Sequence, residues 1–459
     1  MRRRVLVHTL ESWVDPAAAF ATLFADLERA FWLDSGATAT TGMSYLGTCS
    51  RWLTASVAQG IVTEHPSGIE RDGTIFETLS TALADPIETD PDAGAFQLGW
   101  VGWLGYELHA QTMGTGLVRG AKHPDAALAW VDRAIAFDHT AGIVRLLALG
   151  ESWSGELAGW RETTSAALDR LPARLDRAPG ATPVHDAGVE WADTDDEYVA
   201  KVRACQKAIR EGDAYQLCLT TQARVTGSWS AADLYLDLRT SSPTHHGAYL
   251  RFGDVCLLSA TPEQFLAITP ERVIETKPIK GTRPRGRTTA EDALLHAELL
   301  GSDKERAENL MIVDLMRNDL GRVCEVGSVT VPSLLAVESY AHVHQLVSTV
   351  RGRLAEGVTV TDAVAACFPA GSMTGAPKLS AVTILDSLER RARGIYSGTF
   401  GYFSLDGRVD LAMVIRSIVL DADGATIGAG GGITALSVPE EELAEAKLKA
   451  AALLQILAG

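Results

Sequence analysis

Gly247-Ala248-Tyr249-Leu250-Arg251-Phe252-Gly253-Asp254-Val255-Cys256-Leu257-Leu258-Ser259 holds two short strand-like runs, Gly247–Phe252 and Val255–Ser259, that follow one another as the arms of a hairpin do. Similar runs flank it at Tyr215–Ala223 and Phe265–Ile268, and recur at Thr399–Phe403, Val409–Leu420 and Thr426–Ala429. Helical patterns are grouped between them. Asp195–Glu211 is amphipathic and ends at Gly212, Thr289–Leu300 and Ser302–Arg317 follow, and Pro439–Leu457 closes the chain with proline near its start. Strands in hairpin-like succession with helices in groups predict antiparallel α+β layers, not βαβ repeats. Upstream, the strand-like Ile143–Ala148 alternates with a helical reading of Pro16–Phe31. Leu171 to Pro183 lacks apolar periodicity and holds three prolines. It divides the chain into an N-terminal region, 1–170, a linker, 171–194, and a C-terminal region, 195–459.

The chain has 459 residues, enough to bury a large core, of which 46% are hydrophobic and 22% charged. A formal net charge of -17 argues against a nucleic-acid or anionic-membrane partner. No run of about 18 apolar residues predicts a spanning helix. Met1-Arg2-Arg3-Arg4-Val5-Leu6-Val7-His8 starts basic but soon meets Glu11 and Asp15, so it is expected to be a first strand and not a signal peptide. Cys49, Cys205, Cys218, Cys256, Cys324 and Cys367 are scattered, with no C-x-x-C, as expected of reduced thiols in a cytoplasmic protein.

Chemistry concentrates in three places. Thr276-Lys277-Pro278-Ile279-Lys280-Gly281-Thr282-Arg283-Pro284-Arg285-Gly286 sets Lys280 before a Gly-Thr turn, where side chains point into sites. The plainer alternative is a solvated loop cation among Lys277, Arg283, Arg285 and Arg287. Ser302-Asp303-Lys304-Glu305-Arg306-Ala307-Glu308 opens a helix with Glu305 and Glu308 on one face. Ser302 and Glu305 also have capping-box spacing, which would occupy Glu305 at the helix start. Pro439-Glu440-Glu441-Glu442-Leu443-Ala444-Glu445 begins a second acidic helix. Here helix-dipole complementation and an ordinary Glu445–Lys449 pair are the bland alternatives. Two such helices in one acidic chain point to a hard cation such as Mg²⁺. Gly428-Ala429-Gly430-Gly431-Gly432-Ile433-Thr434, between a late strand and a proline-started helix, would let backbone N–H groups approach a carboxylate. It lacks the spacing of a dinucleotide fingerprint. Arg416, expected on a strand Val409–Leu420, is either a buried ion-pair partner or a carboxylate clamp.

Over most of its length the chain resembles the chorismate-utilising enzymes, which include the large subunits of anthranilate and aminodeoxychorismate synthases and the isochorismate and salicylate synthases. The segments that carry the resemblance are Gly212–Leu217, Ser259–Glu263, Pro278–Thr282, Arg306–Cys324, Phe368–Lys378, Tyr396-Ser397-Gly398 and the glycine-rich run with its helix. Phe31-Trp32-Leu33-Asp34-Ser35 and Gly99–Tyr106 resemble the amino-terminal half of the amidotransferase-linked members. In this family isochorismate and salicylate synthases carry a lysine where this chain has Gln216, and anthranilate synthases an alanine where it has Lys280. Gln216 with Pro278-Ile279-Lys280-Gly281-Thr282 is the pattern of the members that aminate chorismate at C4.

The resemblance implies an α+β sandwich of two large antiparallel sheets with outer helices. It implies addition of neutral Lys280 at C2 of chorismate as the C4 hydroxyl leaves, protonated by Glu263, and then addition of ammonia at C4 with expulsion of the lysine. Mg²⁺ would be held by Glu308 and Glu445, with Glu305 and Glu442 nearby through water. Tyr396, Arg416 and Gly430 to Gly432 would hold the enolpyruvyl carboxylate, and Thr282 and Lys449 further carboxylate oxygens. Two departures stand out. Gln345 occupies a position where relatives often carry His, with His344 one place earlier. Trp32-Leu33-Asp34-Ser35 differs from the Leu-Leu-Glu-Ser of feedback-inhibited anthranilate synthases. No glutaminase nucleophile is visible, so ammonia is expected from a separate glutamine amidotransferase subunit or from solution. The rivals are an anthranilate synthase large subunit and a catalytically silent subunit that regulates a glutaminase.

Overall fold

The computed structural model describes residues 3–85, 87–116, 119–175, 188–340 and 343–458. Of the expected linker, residues 176–187 lie outside the described residues. Two twelve-stranded sheets dominate, and their named strand pairs are antiparallel. The first runs Arg4–Thr9, Ile143–Gly150, Arg133–Asp138, Met43–Gly47, Arg29–Asp34, His246–Phe252, Val255–Thr261, Ser417–Asp421, Gly424–Ile433, Gln216–Val225 and Val189–Trp191, with Gly375–Ala376 beside Gln216–Val225. The second runs Ile279–Pro284, Val343–Arg353, Val273–Thr276, Gln264–Ile268, Val409–Met413, Thr399–Ser404, Gly99–Leu104, Ala126–Val131, Trp52–Ser56, Ile61–His65 and Ile69–Asp72, with Thr330–Ser339 beside Val343–Arg353. Each sheet joins a block of strands from before the linker to a block from after it, at Arg29–Asp34 beside His246–Phe252 in the first and Gly99–Leu104 beside Thr399–Ser404 in the second.

Period-two patterning turns these strands into a sandwich. In Gly99–Leu104, Val101 and Trp103 face the other sheet, where Phe31, Ala248, Leu250 and Leu257 meet them; Trp100 and Leu104 face outward. That outer face is covered by the helices Asp303–Gly321 and Val360–Cys367, through Ile312, Met316 and Val364. On the first sheet, Cys256, Leu258 and Ala260 face outward to Ala231–Ser241 and Pro439–Ala458. The fold is thus α+β, two antiparallel sheets with outer helices, as expected. Local signals set the helix ends. Thr194 and Glu197 form a reciprocal capping box on Asp195–Glu211, and Gly212 closes that helix at φ 87°.

Three expectations need correction. Pro16–Phe31 is a helix only over Pro16–Leu23, and Arg29–Asp34 is a central strand. A continuous apolar run such as Ala30-Phe31-Trp32-Leu33 has no period with which to tell the two apart. Val409–Leu420 is two strands in different sheets, broken at Arg416, whose φ is 48°. The glycine-rich run does not lie between the late strand and the last helix: residues 428–433 are part of the strand Gly424–Ile433, which is hydrogen-bonded to Gln216–Val225.

Candidate active site

The chain crosses from the first sheet to the second at Pro262-Glu263 and returns at Val414–Arg416. The crossings lie side by side because the strands they join are paired in both sheets. The Met413 N–H donates to the Glu263 carbonyl at 2.9 Å, and the Ala260 N–H to the Arg416 carbonyl at 3.2 Å. Glu263 and Arg416 therefore enter one cavity of about 490 Å³ at the boundary between the sheets. Burial pushes the Glu263 carboxyl above the ordinary carboxylate range, against the charge of Lys280, the Ser372 side chain and the charge of Arg416. Glu263 thus keeps a proton to higher pH than an exposed glutamate, as a general acid requires.

Lys280 reaches the same cavity from the edge strand Ile279–Pro284. Its pairing with Val343–Arg353 slips between Ile279 and Thr282, so Lys280 and Gly281 form a bulge and not the expected turn. Gly281 has φ 86°, and a Cβ there would meet the Glu305 carboxyl at 2.9 Å. Lys280 has no hydrogen bond or ion pair among the described residues, and its charge is felt by Glu263, Glu308, Glu445 and Cys218. Thr282 also lines the cavity, opposite Gln345. His344 faces away: it is buried, with Nδ1 2.8 Å from the Ser339 hydroxyl and Nε2 3.0 Å from Asp292.

The glycine strand forms the floor. A Cβ on Gly428 would strike the Tyr396 ring at 2.1 Å, and one on Gly430 the Leu219 carbonyl at 2.2 Å. Glycine at these positions is what lets Tyr396 and the neighbouring strand close in. Burial pushes the Tyr396 phenol far up, so it stays a donor. Lys449 donates to the Gly430 carbonyl at 2.8 Å and pairs with Glu445 at 2.7 Å. Gly431 and Gly432 complete the floor. Gln216 does not line the cavity. It is 1% exposed and packs against Gly432, where a Cβ would come to 2.2 Å from the Gln216 Nε2, on the same strand face as the cavity-lining Cys218.

Two helices bring four glutamates to the rim, Glu305 and Glu308 from Asp303–Gly321, and Glu442 and Glu445 from Pro439–Ala458. The expected capping box is half formed: the Ser302 hydroxyl accepts the Glu305 N–H at 3.4 Å, while the Glu305 carboxylate turns to Arg283 at 3.4 Å. Burial raises the carboxyl of Glu308, and Glu305 and Glu442 add to it against Lys280 and Lys304. Burial also raises Glu442, although it accepts the Ser437 hydroxyl at 2.7 Å. In Glu445 burial is outweighed by Lys449, and its carboxyl is lowered. This all-oxygen donor set on two facing helices fits a hard divalent cation with water and substrate in the remaining positions. No three His, Cys, Asp or Glu side chains among the described residues stand ready-grouped as ligands.

Cys218, Lys304, Ser372, Met373 and Leu448 line the cavity without having been anticipated. Lys304 had a usable signal, since it lies one turn before Glu308 in the helix-opening segment. Cys218 and Ser372 had none, because only the packing of separate strands and turns brings them to the cavity.

A family model described as chorismate binding enzyme matches residues 28–455. The aminodeoxychorismate synthase of Streptomyces pristinaespiralis is 44% identical over 97% of this chain and 64% of its own length. The chain thus spans under two thirds of that relative. Anthranilate synthase component 1 of Thermus thermophilus is 38% identical, over 81% of this chain and 79% of its own. The crystal structure of anthranilate synthase component I from Streptococcus pneumoniae superposes with a TM-score of 0.77 at 25% identity, covering 96% of this chain and 98% of that one.

Proposed function

The chain belongs to the family of chorismate binding enzymes, and from that premise we propose that it aminates chorismate at C4 to give 4-amino-4-deoxychorismate. The observation that carries this reading is Lys280, free of direct partners among the described residues, on a bulge that faces the cavity shared with the buried acid Glu263. The greater identity to an aminodeoxychorismate synthase than to an anthranilate synthase points the same way.

In the proposed sequence the neutral Lys280 amine forms a C–N bond at C2. The ring double bonds shift, and the C4 hydroxyl leaves as water with the proton of Glu263. Ammonia then bonds at C4, the double bonds return and the C2–N bond to Lys280 breaks. The balance is chorismate plus ammonia to the 4-amino product plus water, and pyruvate is not released. Tyr396 and Arg416, with the backbone at Gly430 and Gly432, hold the enolpyruvyl carboxylate. Thr282 and Lys449 contact further carboxylate oxygens. Glu308 and Glu445 would hold Mg²⁺, with Glu305 and Glu442 beside them. Bound there, the ion would supply positive charge to the ring carboxylate. Gln216 packs against Gly432, at the position where water-adding relatives carry a lysine. Gln345 at the cavity cannot shuttle a proton, in keeping with a reaction that keeps the enolpyruvyl group.

Ammonia is supplied by a separate glutamine amidotransferase or by ammonium salts. Six free cysteines accord with a cytoplasmic setting, and no described helix is long and apolar enough to cross a membrane. Mass analysis of the product from chorismate, Mg²⁺ and ammonium tests the reading. A mass matching 4-amino-4-deoxychorismate supports it. Fluorescent anthranilate with stoichiometric pyruvate would make the chain an anthranilate synthase subunit, and no turnover would leave a regulatory one.

A further inference from the structure

Besides Lys280, whose charge reaches Glu308 and Glu445 from the cavity wall, three cations stand among the four rim glutamates, and they are held differently. Arg283 pairs with Glu305 at 3.4 Å but is also anchored to Glu298 at 2.9 Å. Lys449 pairs with Glu445 and is also anchored to the Gly430 carbonyl. Lys304 has no second anchor among the described residues: its ammonium lies 3.9 Å from Glu442, and its side chain is 59% exposed. It springs from the first turn of Asp303–Gly321, one turn before Glu308, and reaches across to the other acidic helix.

We infer that Lys304 is the displaceable counter-ion of the glutamate cluster and competes with a divalent cation at Glu442, which it contacts, and at Glu308, which it shares with Lys280. Both carboxylates are buried, and a buried carboxylate without a positive neighbour is costly. The charge of Lys304 also reaches Glu445, so it acts on both helices. A cation entering between Glu308 and Glu445 meets this ammonium as a like charge. Because Lys304 has only one contact and an exposed stem, it swings into water at small cost. Arg283 and Lys449 are tied to the walls and stay. Lys304 thereby offsets glutamate repulsion before the cation arrives and weakens cation affinity, which favours exchange.

The inference rests on the rim being a cation site. Its test uses neither chorismate nor ammonia, so it fails or stands apart from the amination assay. Mg²⁺ is titrated calorimetrically into the full chain at low ionic strength, for the parent, Lys304→Met and Lys304→Arg. Melting temperatures are read in EDTA and in excess Mg²⁺. Removing one half-exposed charge pair should tighten Mg²⁺ binding in Lys304→Met by about two- to fivefold. The same variant should melt lower than the parent in EDTA and gain more from Mg²⁺, while Lys304→Arg stays near the parent. In a Glu442→Gln background the lysine change should have a smaller effect, because the pair is already broken. Unchanged or weaker Mg²⁺ binding in Lys304→Met overturns the competition, as does a parent that binds no cation.

Discussion

The Glu107 carboxyl group accepts the backbone N–H groups of Arg393 at 2.7 Å and Gly394 at 3.0 Å. A side chain from Gly105-Tyr106-Glu107 thereby fixes the turn that leads to Tyr396. The same turn is locked by the buried Arg393–Glu389 pair at 2.8 Å, and Arg393 further donates to the carbonyls of Met373 and Cys218, both on the cavity wall.

Burial pushes the Glu107 carboxyl up to about 8 from 4.5. A folded state that holds a proton the unfolded chain releases is favoured at low pH. The stability Glu107 contributes is therefore complete below pH 4.5 and is lost as pH rises towards 8. Glu107→Gln should remove that part of the slope, so that the variant gains on the parent between pH 5 and 8.5 in urea melts. A parallel pair of pH profiles would exclude this role.

Gly428→Ala should place a methyl group against the Tyr396 ring, where a Cβ would come to 2.1 Å. Overpacking of this kind costs about 1–3 kcal/mol, measurable as a loss of unfolding free energy. Since Tyr396 yields towards the cavity, KM for chorismate should rise as well. An alanine variant with parental stability and KM would show that the ring has room to move.

Lys280→Ala should abolish a chorismate-dependent mass increase on the Lys280 peptide, read with Mg²⁺ present and ammonia absent. It should also lose most 4-amination, and residual product should be aminated at C2. Lys280→Arg should not restore either signal, because a guanidinium stays protonated and is no nucleophile. Parental 4-amination by Lys280→Ala would leave Lys280 an electrostatic contact only.

Glu308→Gln and Glu445→Gln should each abolish Mg²⁺-dependent turnover. Glu305→Ala should be milder. The helix start is held by the Ser302 hydroxyl and the Glu305 backbone, which that substitution keeps. The cap it retains is worth about 0.5–2 kcal/mol, so Glu305→Ala should melt like the parent. Full activity of the Glu308 or Glu445 variant in excess EDTA would remove the metal from the mechanism.

Local physics made much of the molecule readable from the chain alone. A hairpin such as Gly247–Ser259 and a capped helix such as Asp195–Glu211 depend on alternation, caps and turn residues within a few positions, so sequence determined them. Lys280, Glu308 and Glu445 stood out as candidates because their motifs are local; spacing alone left plainer alternatives open, and the family resemblance singled them out. What joins them was not recognisable, since it depends on residues far apart along the chain. Glu263 and Arg416 become neighbours only because two crossings between sheets run side by side. Arg416 leaves its expected strand because that strand belongs half to each sheet. Lys280 is aimed by a bulge whose slip is set by the pairing with Val343–Arg353. Gln216 packs against Gly432 because strand register, which no single segment contains, decides which residues of neighbouring strands meet. Sequence determined the chemical groups; tertiary pairing decided which of them share one cavity.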